Sequence, residues 1–152
     1  MAAPRLRAYA RETAIAEKVE AIVALGLQNS RMKDFFDVWF LGRTFAFDEA
    51  TLSTAIRATF ERRRIPLPME TPLGLTAEFA TNVSKAAQWP GFVARGRFFQ
   101  APPDLPDVVA FIATFIGPLL VGSRFGTPSA NRYWLPGGDW QSTRGVVDLS
   151  RK

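Results

Sequence analysis

The side chains able to do chemistry fall in two short stretches, Glu17-Lys18 and Arg31-Met32-Lys33-Asp34-Phe35-Phe36-Asp37. Lys18 stands three residues after Ile15 and four before Ile22, on or beside the apolar stripe of a helix. An ammonium in that position needs a carboxylate or a bound phosphate beside it. Asp34 and Asp37 are three residues apart and share a helix face, and Asp34 lies four before Val38, at the edge of the apolar side. Arg31 and Lys33 add positive charge, and a helix beginning there presents free backbone N–H groups that favour anions. Such a mixed-charge pocket could hold a nucleotide or orient an acceptor hydroxyl. The same spacing also describes a salt-bridge network joining two helices, with Lys18 neutralised by Asp34 or Asp37.

Composition narrows the chemistry. The chain of 152 residues has no cysteine and no histidine. Disulfides, thiolate nucleophiles, thiolate-held zinc and histidine general bases are therefore excluded. Four of the 19 basic residues are lysines (Lys18, Lys33, Lys85, Lys152), which leaves 15 arginines, and the net charge is +5. An arginine-rich surface attracts phosphate, although skewed codon usage would give the same composition. The polar, basic start has no signal peptide, and the apolar run 108–121 is short for a membrane span and contains Gly117 and Pro118. The expectation is a cytoplasmic protein with no membrane partner.

The elements that must position the two stretches read as helices. Residues 11–25 repeat apolar side chains at helical spacing and stop at Gly26, and Ser30 is the expected cap of a second helix over 32–41. Asp48 should cap a third helix through Phe60. Prolines 66, 68 and 72 make an extended connector after Arg62-Arg63-Arg64. That arginine run could meet nucleic-acid phosphate or merely end a helix. Thr76 should cap a fourth helix over 77–87 that ends before Trp89-Pro90, and a last helix is expected over 108–115. The fold class is all-α: a helical bundle over 1–121, followed by an irregular Gly/Pro-rich tail over 122–152 that packs on it in places. Across the whole chain strand signals are weak.

The stretch from Tyr9 to Ile22 resembles the motif of the AbiEii/AbiGii toxin family of nucleotidyltransferases, in which a helix carries a Glu-Lys pair. Arg31 to Asp37 resembles the Arg-x-Lys-Asp-x-x-Asp motif that follows it, in the right order and separation. Further likeness runs through Phe47-Asp48, Leu52, Ala55-Ile56, Thr59-Phe60, Leu75-Thr76, Phe79, Trp89 and Phe92, and on to Trp134-Leu135-Pro136-Gly137-Gly138-Asp139-Trp140. The resemblance implies the helical C-terminal lobe of a two-lobe enzyme that transfers a nucleoside monophosphate from a nucleoside triphosphate to an acceptor such as RNA, in a type IV toxin–antitoxin or abortive-infection setting. It implies that Lys18 touches nucleotide phosphate and that Asp34 binds nucleotide or activates the acceptor. Glu17, Arg31, Lys33 and Asp37 would shape the pocket.

By the same resemblance magnesium is the metal, its ligands lying on a Gly-Ser turn and paired aspartates of an N-terminal lobe. No such signature stands in this sequence. Gly122-Ser123 is followed by no carboxylate pair, and Asp104 and Asp107 are isolated among prolines. No metal ligand is therefore assigned. The expected partners are the magnesium lobe, whether missing here or carried on a separate chain, and a cognate antitoxin. A stand-alone basic helical module that binds nucleic acid or protein without catalysis, and a non-functional remnant, are the competing readings.

Overall fold

The computed structural model of the chain describes residues 10–98, 101–121 and 132–142. Helix α1 (Ala10–Leu25) ends at Gly26, whose φ of +53° is the left-handed conformation that glycine adopts without strain. A 3-10 turn over Gly26–Gln28 leads into α2 (Met32–Thr44). Ser30 does not cap it. The Asn29 carboxamide oxygen accepts from the Arg31 N–H at 2.8 Å instead, and Arg31 is the residue at the cap position. Asn29 is fully buried, so the turn is anchored from within. Helices α1 and α2 pack on each other, and their Ile15, Val19, Ile22, Phe35 and Val38 belong to one core, each almost without exposed surface.

Asp48 caps α3 (Glu49–Arg62) as expected, accepting from Thr51 N at 2.9 Å. The helix closes with a 6→1 bond from Ile65 N to Phe60 O, which places Arg64 at φ +58°, where glycine is the usual residue. The arginine run is largely committed to α1: Arg63 pairs with buried Glu20 at 2.9 Å and Arg62 with Glu17 at 3.6 Å.

Thr76 caps a short α4 (Ala77–Thr81), but the helix breaks at Asn82 rather than running on to residue 87. The Asn82 side chain accepts from Ser84 N and Lys85 N, offering the backbone a competing set of bonds, and so starts α5 (Val83–Arg95). Pro90 lies inside α5. Proline removes the bond to the carbonyl four residues back, but Ala86 and Pro90 are both exposed, so water can satisfy that oxygen. Helix α6 (Leu105–Val121) contains Pro118 in the same way, with Thr114 and Pro118 on an exposed face. It is longer than expected at both ends. Its other faces bury Val108, Ile112, Phe115, Ile116, Leu119 and Leu120, making it the central helix against which α2, α3 and α4 pack.

The molecule is mainly helical, as expected, but it also carries a small antiparallel sheet. Strand β1 (Phe47–Asp48) pairs with β2 (Arg132–Trp134), which pairs with β3 (Trp140–Ser142). Part of the expected irregular tail is thus a hairpin. Residues 122–131 and 143–152, the rest of that tail, lie outside the described residues, as does Gly122-Ser123. The hairpin docks on the C-terminal end of α2. Trp134 is fully buried, its indole N–H donates to Gly42 O at 2.7 Å, and Gly137 N donates to the same oxygen at 3.0 Å. A carbonyl in the last turn of a helix has no partner of its own, and here the hairpin supplies two donors. Any side chain at Gly42 would run into Phe115, so α2 and α6 approach as closely as backbone allows.

Candidate functional site

The two charged stretches meet because α1 and α2 fold back on one another. Lys18 Nζ lies 3.3 Å from Asp37 Oδ2, and Lys33 Nζ lies 2.7 Å from the same oxygen, one turn back along α2. Lys18 is half-buried at the edge of the apolar stripe, where its stem packs and its ammonium reaches out. Asp34 is almost fully buried. Arg31 Nε lies 3.0 Å from Asp34 Oδ2, and Arg31 Nη2 donates a long hydrogen bond of 3.4 Å to Oδ1. Proximity to Nε does not amount to a hydrogen bond there, and Oδ2 is buried without one. Burial raises the Asp34 pKa above its ordinary value. Arg31 and Lys18 pull it back down, Asp37 pushes it further up, and Lys33 lowers it slightly. A buried carboxylate with one oxygen in an ion pair but without a hydrogen bond, and with a raised pKa, is suited to taking a proton or accepting a hydrogen bond from a bound molecule.

These groups line a cleft of about 670 Å³ between the start of α2 and the side of α5. Its first wall carries Lys18, Arg31, Lys33 and Asp34. Asp37 stands behind this wall and holds the two lysines. Glu17 points elsewhere, toward Arg62 on α3, and does not line the cleft. The second wall was not anticipated: Gln88, Gly91, Phe92 and Arg95, all from α5. Ending that helix before Trp89-Pro90 hid them. The signal was present, since Trp89, Phe92 and Val93 continue the apolar spacing across Pro90. Gln88 Oε1 is a further buried acceptor without a hydrogen-bond partner.

Lys85 of α5 supports the first wall from behind. It is buried, its ammonium donates to the Asn29 carbonyl, and it lies 5.6 Å from the Phe79 ring centroid. It pins the turn that presents Arg31. Behind the cleft, Phe36 of α2 stacks and tilts against Phe40, Phe92 and Phe98, joining the two walls through an aromatic layer. Phe36 is half-buried in that layer, whereas Phe40 is 45% exposed.

The cleft suits an anion. Four cations and one carboxylate line it, and its volume falls in the range of about 300–1,000 Å³ usual for small-molecule sites. A nucleoside triphosphate fits this donor set. Magnesium does not fit the described residues. They contain no group of three or more aspartate, glutamate, histidine or cysteine side chains placed to hold a metal, and Asp104 and Asp107 form no such group.

Residues 1–111 match the family described as nucleotidyl transferase AbiEii toxin, type IV toxin–antitoxin system. The chain belongs to the AbiEii family. The matched span covers both walls of the cleft and ends within α6, so the likeness read in residues 134–140 lies beyond it. As a type IV system component, an AbiEii toxin has an antitoxin as its counterpart. No curated protein and no solved structure matches the chain. Among the described residues, no helix is long and apolar enough to cross a membrane.

Proposed function

We propose that this AbiEii chain supplies the nucleotide-handling helical wall of a nucleotidyltransferase that moves a nucleoside monophosphate from a nucleoside triphosphate onto an acceptor hydroxyl, such as that of an RNA. The observation that carries the reading is the convergence of Lys18, Arg31 and Asp34 on one cleft in a member of this family. In the proposed reaction the acceptor oxygen bonds to the α-phosphorus, the bond from that phosphorus to the bridging oxygen breaks, and pyrophosphate leaves. Asp34 takes the hydroxyl proton, for which its raised pKa suits it. Lys18 and Arg31 offset the charge that builds on the phosphates. Lys33 and Asp37 orient Lys18 through their shared contact. Magnesium, expected for this chemistry by family resemblance, would be held by carboxylates other than the described ones, on a partner lobe of the same or another polypeptide.

The test is transfer of label from a nucleoside triphosphate to a mixed RNA pool, with magnesium and a family N-terminal lobe added. Transfer should fall by about 100-fold or more for Lys18→Ala and for Asp34→Ala. Transfer that survives both substitutions would refute these roles. Robust transfer by the chain alone, lost on Asp104→Ala or Asp107→Ala, would move the metal site to those carboxylates.

A further inference from the structure

The cations of the first wall are already engaged. Lys18 and Lys33 share Asp37, and Arg31 sits against Asp34. Arg95 faces them from α5 and, among the described residues, forms no ion pair and no side-chain hydrogen bond. Arg95 is exposed, and its side chain lies along the helix surface. It folds back one turn over Gly91, where a Cβ would lie 3.2 Å from Arg95 Nη1. Gly91 is interior to the helix, a position where glycine disfavours helix relative to alanine. Both residues line the cleft. A Cβ at residue 91 would crowd the guanidinium in this position by a few tenths of an ångström.

We propose that Arg95 is a phosphate-binding residue of the cleft, that it takes a non-transferred phosphate of the nucleoside triphosphate, and that Gly91 is the positioning residue that seats it. This rests on the reading of the cleft as a nucleotide site and adds a second wall to it. A guanidinium fork matches phosphate oxygens, and an engaged carboxylate partner, which Arg95 lacks among the described residues, would compete with them. The cleft's volume of about 670 Å³ is enough for one small ligand. Bound triphosphate would lie between Lys18 and Arg31 on one side and Arg95 on the other.

The experiment is calorimetric titration of the full chain with inorganic tripolyphosphate, and separately with a single-stranded RNA, for the unaltered chain and for Lys18→Ala, Arg95→Ala, Arg95→Lys and Gly91→Ala. Tripolyphosphate binding should weaken by about tenfold for Arg95→Ala and by less for Arg95→Lys. Gly91→Ala should weaken it too while raising Tm, because alanine favours the helix but displaces the guanidinium. A merely structural Gly91 would not move binding and stability in opposite directions. Unchanged affinity in Arg95→Ala, alongside a loss in Lys18→Ala, would overturn the Arg95 assignment and leave the cleft reading standing. Unchanged affinity in Gly91→Ala would overturn its seating role. Weakened RNA binding with intact tripolyphosphate binding would overturn the triphosphate assignment. No tripolyphosphate binding by the unaltered chain would overturn both the proposal and the reading beneath it.

Discussion

Glu49 and Asp34 each stand beside an arginine and are buried to nearly the same degree, with 6% and 5% of the side chain exposed. Around Glu49 the bonding is complete. Arg132 donates to both carboxylate oxygens, at 3.0 and 2.7 Å, and these bonds raise the Arg132 pKa further. The pair ties the start of α3 to β2 and leaves no oxygen for a ligand. Around Asp34 the bonding is incomplete. One oxygen has a long bond from a largely exposed arginine, the other has that arginine's Nε at 3.0 Å but no hydrogen bond, and burial disfavours the charge. Equal burial with unequal satisfaction distinguishes the closed Glu49 pair from Asp34, which the proposed function reads as a site kept open. The hairpin end of the molecule is built for stability, and the cleft end sacrifices some of it.

Substitutions can break this contrast, beginning with the hairpin. Trp134→Ala removes a fully buried indole that contacts Phe115 at 4.5 Å between ring centroids and donates to Gly42 O. It should cost about 4 kcal/mol of unfolding free energy, read as a fall in the urea midpoint. Glu49→Gln keeps the shape but breaks the charge-assisted fork, and should cost about 2 kcal/mol in the same measurement.

At the cleft the sign reverses. Because Asp34 has a raised pKa when folded, the folded chain binds that proton more tightly than the unfolded chain. The linked stability is fully present below the ordinary value of 3.8 and is lost as pH rises through the raised one. Asp34→Asn should therefore be more stable than the unaltered chain at pH 7. The gain should shrink steadily as paired unfolding curves are run toward pH 4. A loss of stability at pH 7 would make Asp34 a structural residue like Glu49. The smallest effect is expected outside both regions. Arg64→Gly, at φ +58°, should raise stability by about 0.5 kcal/mol, a left-handed strain relieved against the added freedom of glycine in the unfolded chain.

The first wall of the cleft was legible because local spacing defines it. Lys18, Arg31, Lys33, Asp34 and Asp37 lie within a helical hairpin, and periodicity alone puts them on facing sides. Glu17 falls outside the cleft because its neighbour Lys18 turns to it, and one residue along a helix turns the side chain by about 100°. The second wall was lost at Pro90. A proline usually ends a helix, and only the solvent-facing placement of Ala86 and Pro90 makes this one tolerable. The sheet left no periodic trace because its strands have two or three residues each, and β1 pairs with a segment more than eighty positions away. What makes Trp134 core is the free carbonyl at Gly42 and the ring of Phe115, both set by tertiary packing.

Under the proposed function the cleft end binds nucleotide and the hairpin end does not. This is tested most directly by titrating a nucleoside triphosphate into the unaltered chain, Lys18→Ala and Glu49→Gln, with the unfolding midpoint of each recorded under the same conditions. The account predicts that Lys18→Ala loses affinity by about tenfold or more with little change in midpoint, while Glu49→Gln unfolds earlier yet binds normally at temperatures where it remains folded. Normal binding by Lys18→Ala, or weakened binding by fully folded Glu49→Gln, would contradict it.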